Sequence, residues 1–167
     1  MNQKPDQLDS ETKVLEAPHE HKDELRLWLR LLTCTTLIEG EIRKRLADEF
    51  GTTLPRFDLF AQLERAPAGM TLGDLSRRMM VTNGNVTGLV ERLVESGHVE
   101  RSSLPNDRRV QIVKLTQKGK ASFSRMAKAH EEWLAELFAQ ISQKDITELL
   151  RRLKKLKDSV SSHGPEI

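Results

Sequence analysis

Three clusters in this 167-residue chain combine residue types that could do chemistry on something outside it. The first is Asp107-Arg108-Arg109, within ERSSLPNDRRVQIVKLTQKG from Glu100 to Gly119. A tip made only to turn would need Pro105, Asn106 and Asp107 and nothing more. A carboxylate two residues from Arg109 can hold its guanidinium in one geometry by bidentate pairing, and a held arginine suits the narrow, negative minor groove of DNA. The same run also fits a plain turn with solvated arginines. The second cluster is Thr82, Asn83, Gly84, Asn85 and Thr87, small and polar without an acid. Amides and hydroxyls of this kind at a helix end can bond base edges and phosphates in a major groove about 12 Å wide. Gly84 and Gly88 admit close approach, at a cost of roughly 1 kcal/mol each against alanine in a helix interior. Read without a ligand, Thr82 is a cap and the asparagines are merely exposed. The third cluster is LPRFDLF, with Arg56 beside Phe57 and Phe60. A cation near apolar walls at a helix N-terminus can receive a carboxylate. Pairing of Arg56 with Asp58 or Glu64 fits the same residues.

These clusters need elements to position them. Leu25, Trp28, Leu29, Leu32, Ile38, Ile42 and Leu46 recur at helical spacing and predict a helix from about Asp23 to Phe50, stopped by Gly51. Thr53 caps a second helix with Pro55 in its first turn. Thr71 and Thr82 cap two further short helices joined by about Met80-Val81, and a pair joined so tightly must cross as a helix-turn-helix. VERSSL and RVQIVKL are β-prone runs around the Pro105–Arg108 turn, a two-stranded wing. Thr116 caps a long helix to about Ala139, and a last helix from Lys144 to Ser161 carries the stripe Ile146, Leu149, Leu150, Leu153, Leu156 and Val160. A stripe of that length asks for the first helix or a second subunit. The fold class expected is mainly α with a small β-hairpin wing. Residues 1–20 read as a disordered acidic leader, 53–116 as a winged helix-turn-helix lobe, and 21–52 with 117–163 as a helical dimerisation region.

Composition narrows the function classes. The net charge of +2 says little, but residues 1–24 hold three lysines against seven acids while residues 71–120 hold nine Lys/Arg against five Asp/Glu. A basic middle suits contact with nucleic acid. No run of about 18 apolar residues suggests a membrane span, and the polar N-terminus lacks the apolar centre of a signal peptide. One cysteine, Cys34, excludes an internal disulfide framework and fits a reducing cytoplasm. No glycine-rich phosphate loop, serine elbow or acid pair points to catalysis, so no enzyme and no cofactor are expected. The five histidines are scattered without metal-ligand spacing, so no metal site is expected. A helical dimeric module that ignores DNA is the rival reading, and it leaves the wing arginines without a purpose.

Taken in order, TLGDLSRRM, TNGNVTGLVERLVESG and DRRVQIVKLTQKG resemble the MarR family of bacterial winged helix-turn-helix regulators, over about residues 25–160. The Asp-x-Arg wing followed by Leu115-Thr116 and Gly119 is the most specific part of that likeness. The resemblance implies a homodimer built from the first and last helices and two recognition helices on a pseudo-palindromic operator in double-stranded DNA. Half-sites would lie about one helical turn apart. It puts Arg109 in the minor groove with Asp107 as its orienter, Thr82 to Thr87 in the major groove, and makes Arg77, Arg78 and Arg92 phosphate candidates. Each of those three also fits a solvated or salt-bridged surface residue. The LPRFD run resembles regulators of aromatic-acid catabolism, including some that answer to hydroxycinnamoyl-CoA thioesters, which makes Trp28, Arg56 and Phe60 candidates for an effector pocket. One branch of the family senses peroxide through a cysteine in its first helix. Cys34 sits in the apolar run LLTCTTLI in a chain without tyrosine, so packing is the expected role and redox sensing the alternative. The implied function is a cytoplasmic repressor released by a small aromatic acid or its CoA thioester.

Overall fold

The computed structural model describes residues 22–104 and 107–162, apart from the side chains of Leu104, Asp107, Arg108 and Arg109. The expected leader, residues 1–20, lies outside the described residues. The chain divides within its first helix, α1 (Lys22–Phe50), into two compact units, Met1–Arg45 and Leu46–Ile167.

In the first unit, α1 presents Leu25, Leu27, Trp28, Leu32 and Leu37 exposed, and Glu39–Arg43 and Glu41–Arg45 pairs one turn apart at 3.1 and 2.8 Å lace its polar side. Among the described residues no helix is long and apolar enough to cross a membrane.

The second unit opens with the end of α1. Gly51 takes a left-handed φ of 58° that a Cβ would oppose, and its N–H bonds the Ala47 carbonyl at 3.0 Å. Next is α2 (Leu54–Glu64), which buries Phe57, Leu59, Phe60 and Leu63. Thr53 stands at the cap position, but its hydroxyl makes no cap bond. Pro55, the second helical residue, has no N–H to offer, and the Arg56 and Phe57 amides bond the Thr53 carbonyl instead, at 3.0 and 3.1 Å.

A two-residue strand, β1 (Met70–Thr71), was not expected from the sequence. It leads directly into α3 (Leu72–Met79), where the Thr71 Oγ1 accepts the Asp74 N–H at 3.0 Å and donates to its Oδ2 at 2.7 Å. The turn to α4 (Asn83–Glu95) uses Met80 in a left-handed conformation, φ 54°, and is tied by Ser76 Oγ donating to the Val81 carbonyl at 2.7 Å. The wing is β2 (Val99–Leu104) and β3 (Asp107–Leu115), antiparallel with Val99 opposite Leu115 and Arg101 opposite Val113; the register shifts between Ser103 and Leu104. β1 adds to the other edge of β3, Met70 opposite Val113, giving a sheet ordered β1-β3-β2. Gly69, φ 92°, allows that approach, since a Cβ there would lie 2.4 Å from Ile112 Cγ2 and 2.8 Å from the Val113 carbonyl oxygen.

Two helices finish the chain, α5 (Gln117–Leu137) and α6 (Gln143–Ser161), each with a hydroxyl cap, Thr116 Oγ1 on the Gly119 N–H and Ser142 Oγ on the Asp145 N–H. The core of the second unit gathers Leu46, Leu59, Leu63, Leu75, Val86, Val90, Val99 and Val113, all fully buried. Trp133 of α5 meets Phe50 with ring centroids 6.0 Å apart, and Phe57 meets Phe123 at 5.6 Å. Truncation of such a buried leucine costs about 2–5 kcal/mol. α6 buries none of its residues and leaves Leu149, Leu150, Leu153 and Val160 exposed.

Candidate functional site

The helix-turn-helix pair determines what α4 can offer. Val86, Val90 and Leu93 are buried, which turns Asn83, Gly84 and Asn85 outward, all exposed, with Thr87 half-buried behind them. Thr82 Oγ1 accepts the Asn85 N–H at 3.4 Å, and the Thr87 hydroxyl donates to the Asn83 carbonyl at 2.9 Å. No acid occupies the first turn, so the positive end of the helix is left for an outside anion. Gly84 has nothing within 4 Å of where a Cβ would stand. Packing among the described residues therefore gives no reason for glycine there.

The arginines divide. Arg77, in the last turn of α3, is paired with Asp74, and Arg78 is exposed without an ion pair among the described residues. Arg92 lies back along α4, with Nε donating to the Gly88 carbonyl at 3.0 Å. Arg92, Gly84, Asn85 and Gly88 border a cleft of about 410 Å³ whose far wall is Thr53, Pro55 and Arg56 at the start of α2. At the wing tip the backbone pairing of Leu104 with Asp107 puts Asp107, Arg108 and Arg109 at the start of β3; their side-chain roles fall outside the described residues.

A second cavity, about 230 Å³, joins residues far apart in the sequence. Phe50, Gly51 and Thr52 close one end, Arg56 and Phe60 come from α2, Leu93 and Ser96 from the end of α4, His98 from the start of the wing, and Ser122, Arg125 and Met126 from α5. Arg56 and Arg125 make no ion pair among the described residues, and no carboxylate lines the cavity. The expected pairing of Arg56 with Asp58 or Glu64 is thus not formed. Trp28, the third expected pocket residue, is exposed on α1 and is not among the lining residues. Thr52, Ser96, His98, Ser122 and Arg125 were missed by the sequence reading. The spacing of Ser122, Arg125 and Met126, three and four apart, was the signal that could have placed them on one helical face.

Two histidines in this part of the second unit are half-buried. The His98 ring stands 5.9 Å from Phe60 and its Nδ1 is 2.9 Å from Ser96 Oγ. Burial holds its pKa below the ordinary 6.5, with Lys118 and Arg56 adding to the effect. His130 stacks on Phe57 at 4.9 Å, and burial lowers it too, against the pull of Asp58 and Glu131. In both cases the unfolded chain binds the proton more tightly than the folded one, so stability is complete above pH 6.5 and declines as the pH falls below it. The urea midpoint should therefore drop between pH 7.5 and 5.5, and His130→Phe should make the profile flatter. A wild-type midpoint constant over that range would contradict this.

Cys34, expected to pack, is exposed in the single chain. Its helical stripe continues through Ile38 to Ile42, and only the later position is buried. Among the described residues no group of His, Cys, Asp or Glu is placed to hold a metal ion.

Comparison with known proteins agrees with this geometry. The sequence profile of the MarR family matches residues 50–110. Over 138 residues the chain is 30% identical to the transcriptional activatory protein BadR of Rhodopseudomonas palustris, spanning 81% of this chain and 78% of that one. The crystal structure of a MarR family transcriptional regulator from Silicibacter pomeroyi superposes with a TM-score of 0.72 at 38% identity, over 83% of this chain and 96% of that one. A mutant of MarR from E. coli, solved in complex with operator DNA, superposes at 0.69 with 25% identity, over 83% and 99%. With an open helix-turn-helix face, a wing beside it and relatives of this kind, the chain belongs to the MarR family and is a DNA-binding transcriptional regulator.

Proposed function

We propose that the protein acts as a homodimeric repressor that leaves its operator when a small aromatic carboxylate, or the CoA thioester of one, enters the 230 Å³ cavity. The observation that carries this reading is the pair Arg56 and Arg125, unpaired by any described carboxylate and set beside Phe60 and Met126. Two cations against apolar walls favour an anion with a flat apolar body. Dimerisation through residues 21–52 and 117–163 is supported by the exposed apolar residues of α1 and α6, which a lone chain leaves in water. In this reading residues 53–116 form the DNA-binding lobe. Thr82, Asn83, Gly84, Asn85 and Thr87 meet the major groove, Arg108 and Arg109 the minor groove with Asp107 holding Arg109, and Arg77, Arg78 and Arg92 the phosphate backbone. The cavity wall includes Leu93 and Ser96 at the end of α4, so an occupant acts on that helix directly. Favouring a state whose two recognition helices no longer match the operator requires only a few kcal/mol of differential binding.

The name of the Rhodopseudomonas relative, an activatory protein, supports activation as the second reading. Selection of genomic fragments by the purified protein, with and without aromatic acids and their CoA thioesters, tests both. Release of a near-palindromic site by one compound is expected, and Arg56→Gln should make that release need at least tenfold more compound. Fragments that no compound releases would remove the effector, and a reporter from the selected promoter decides the sign.

A further inference from the structure

The cavity differs from a plain cationic pocket in one respect: a histidine in its wall is also the joint between the recognition helix and the wing. The His98 N–H bonds the Leu93 carbonyl at 2.9 Å, and the His98 carbonyl accepts the Thr116 N–H at 3.1 Å. The residue before it, Gly97, is left-handed with φ 72° and gives its carbonyl to Thr116 Oγ1 at 2.8 Å. The backbone of His98 is therefore tied to the end of α4 and to the cap of α5, while its ring lines the cavity.

The ring's surroundings are cationic and hydroxylic. α2 contributes Arg56, α5 contributes Lys118, and the end of α4 contributes Ser96, whose hydroxyl meets Nδ1; Arg125 of α5 lines the same cavity. Nε2 has no hydrogen-bond partner among the described residues. Burial, with Lys118 and Arg56 adding to it, holds the imidazole's pKa below the ordinary 6.5 and so favours its neutral form. A carboxylate placed among Arg56, Arg125 and His98 reverses that balance, because an opposite charge within about 4–6 Å favours the protonated ring.

Resting on the reading of this cavity as an anion site, we infer that His98 couples effector binding to proton uptake: one proton from solvent joins the imidazole as each carboxylate binds, so the site fills more readily as the pH falls. The regulator then responds to the product of effector and proton concentrations, and the charge that accompanies occupancy arises at the joint of α4 and the wing. The ligand's own bonds are unchanged; the balance is one carboxylate and one proton bound together.

Benzoate is a suitable probe, titrated calorimetrically into the full-length protein at pH 6, 7 and 8 in two buffers of different ionisation enthalpy. We expect affinity to change by up to tenfold per pH unit above the titration of free His98, uptake of up to about one proton, and a single pH-independent affinity in His98→Gln. Because that substitution touches a structural joint, the ring signals of His98 in the wild-type protein serve as a second readout, and benzoate should raise the pH at which they titrate. Benzoate binding with equal affinity at all three pH values, or an unmoved His98 titration, would overturn the proton coupling while leaving the anion site intact. Absence of benzoate binding to the wild type, or undiminished binding to Arg56→Gln, would overturn the anion site and the coupling with it.

Discussion

Gly119→Ala is expected to destabilise the protein by about 3 kcal/mol, which lowers the melting temperature by roughly 6–12 °C for a chain of this size. Gly119 is buried in the first turn of α5, and a Cβ built on it would stand 2.0 Å from the His98 carbonyl oxygen and 3.1 Å from the carbonyl carbon. Both are backbone atoms, held by the Leu93 and Thr116 hydrogen bonds, so no side chain can rotate away to admit the methyl. Either α5 moves off the start of β2, or the Thr116 cap on the Gly119 amide opens. Gly40 in α1 is the control, with nothing within 4 Å of its Cβ position. There alanine should hold or raise stability, by up to about 1 kcal/mol. Calorimetric melting of the two variants separates the cases, and a Gly119→Ala protein that melts within 2 °C of wild type would show that the contact relaxes freely.

Arg109→Ala is expected to weaken operator binding roughly 10- to 100-fold at fixed salt, the loss of one specific arginine contact of about 1–3 kcal/mol. Light scattering should show the oligomeric state unchanged. Asp107→Asn should cost less, several-fold, because it removes the group that orients the guanidinium and leaves the guanidinium itself. The comparison must be made at one ionic strength, since phosphate contacts elsewhere in the interface weaken steeply with salt. A variant that binds the operator as tightly as wild type would remove Arg109 from the interface. One that dissociates into single chains would assign it to the contact between subunits.

The helices and the hairpin were legible because each carries its own local signal. Thr71, Thr82 and Thr116 each stand three residues before the amide that their hydroxyl caps, a pattern written in neighbouring residues. Thr53 shows the same pattern and makes no such bond; the Arg56 amide, three residues on, goes to the Thr53 carbonyl. β1 was invisible for a different reason: two residues, Met70 and Thr71, cannot display an alternation, and Thr71 already had a function as a cap. The cavity was half legible. Arg56 and Phe60 lie four apart on one helix, whereas Ser96, His98, Ser122 and Arg125 meet them only through the packing of α4, β2 and α5. Gly119 shows a further limit, since the sequence marked the position and only the structure supplied the reason, a carbonyl where a methyl would have to go.

The short strand β1 has a consequence for how the second unit assembles. The pairing of β2 with β3 joins segments adjacent in the chain, a hairpin that can close within microseconds. Met70 opposite Val113 and Thr71 opposite Ile112 close a loop that contains α3, α4 and β2. Loop-closure entropy opposes such a contact until the helices within it have formed and begun to pack. β1 therefore joins the sheet late, and the search for that two-residue register contributes to the folding time although its hydrogen bonds add little to the final stability.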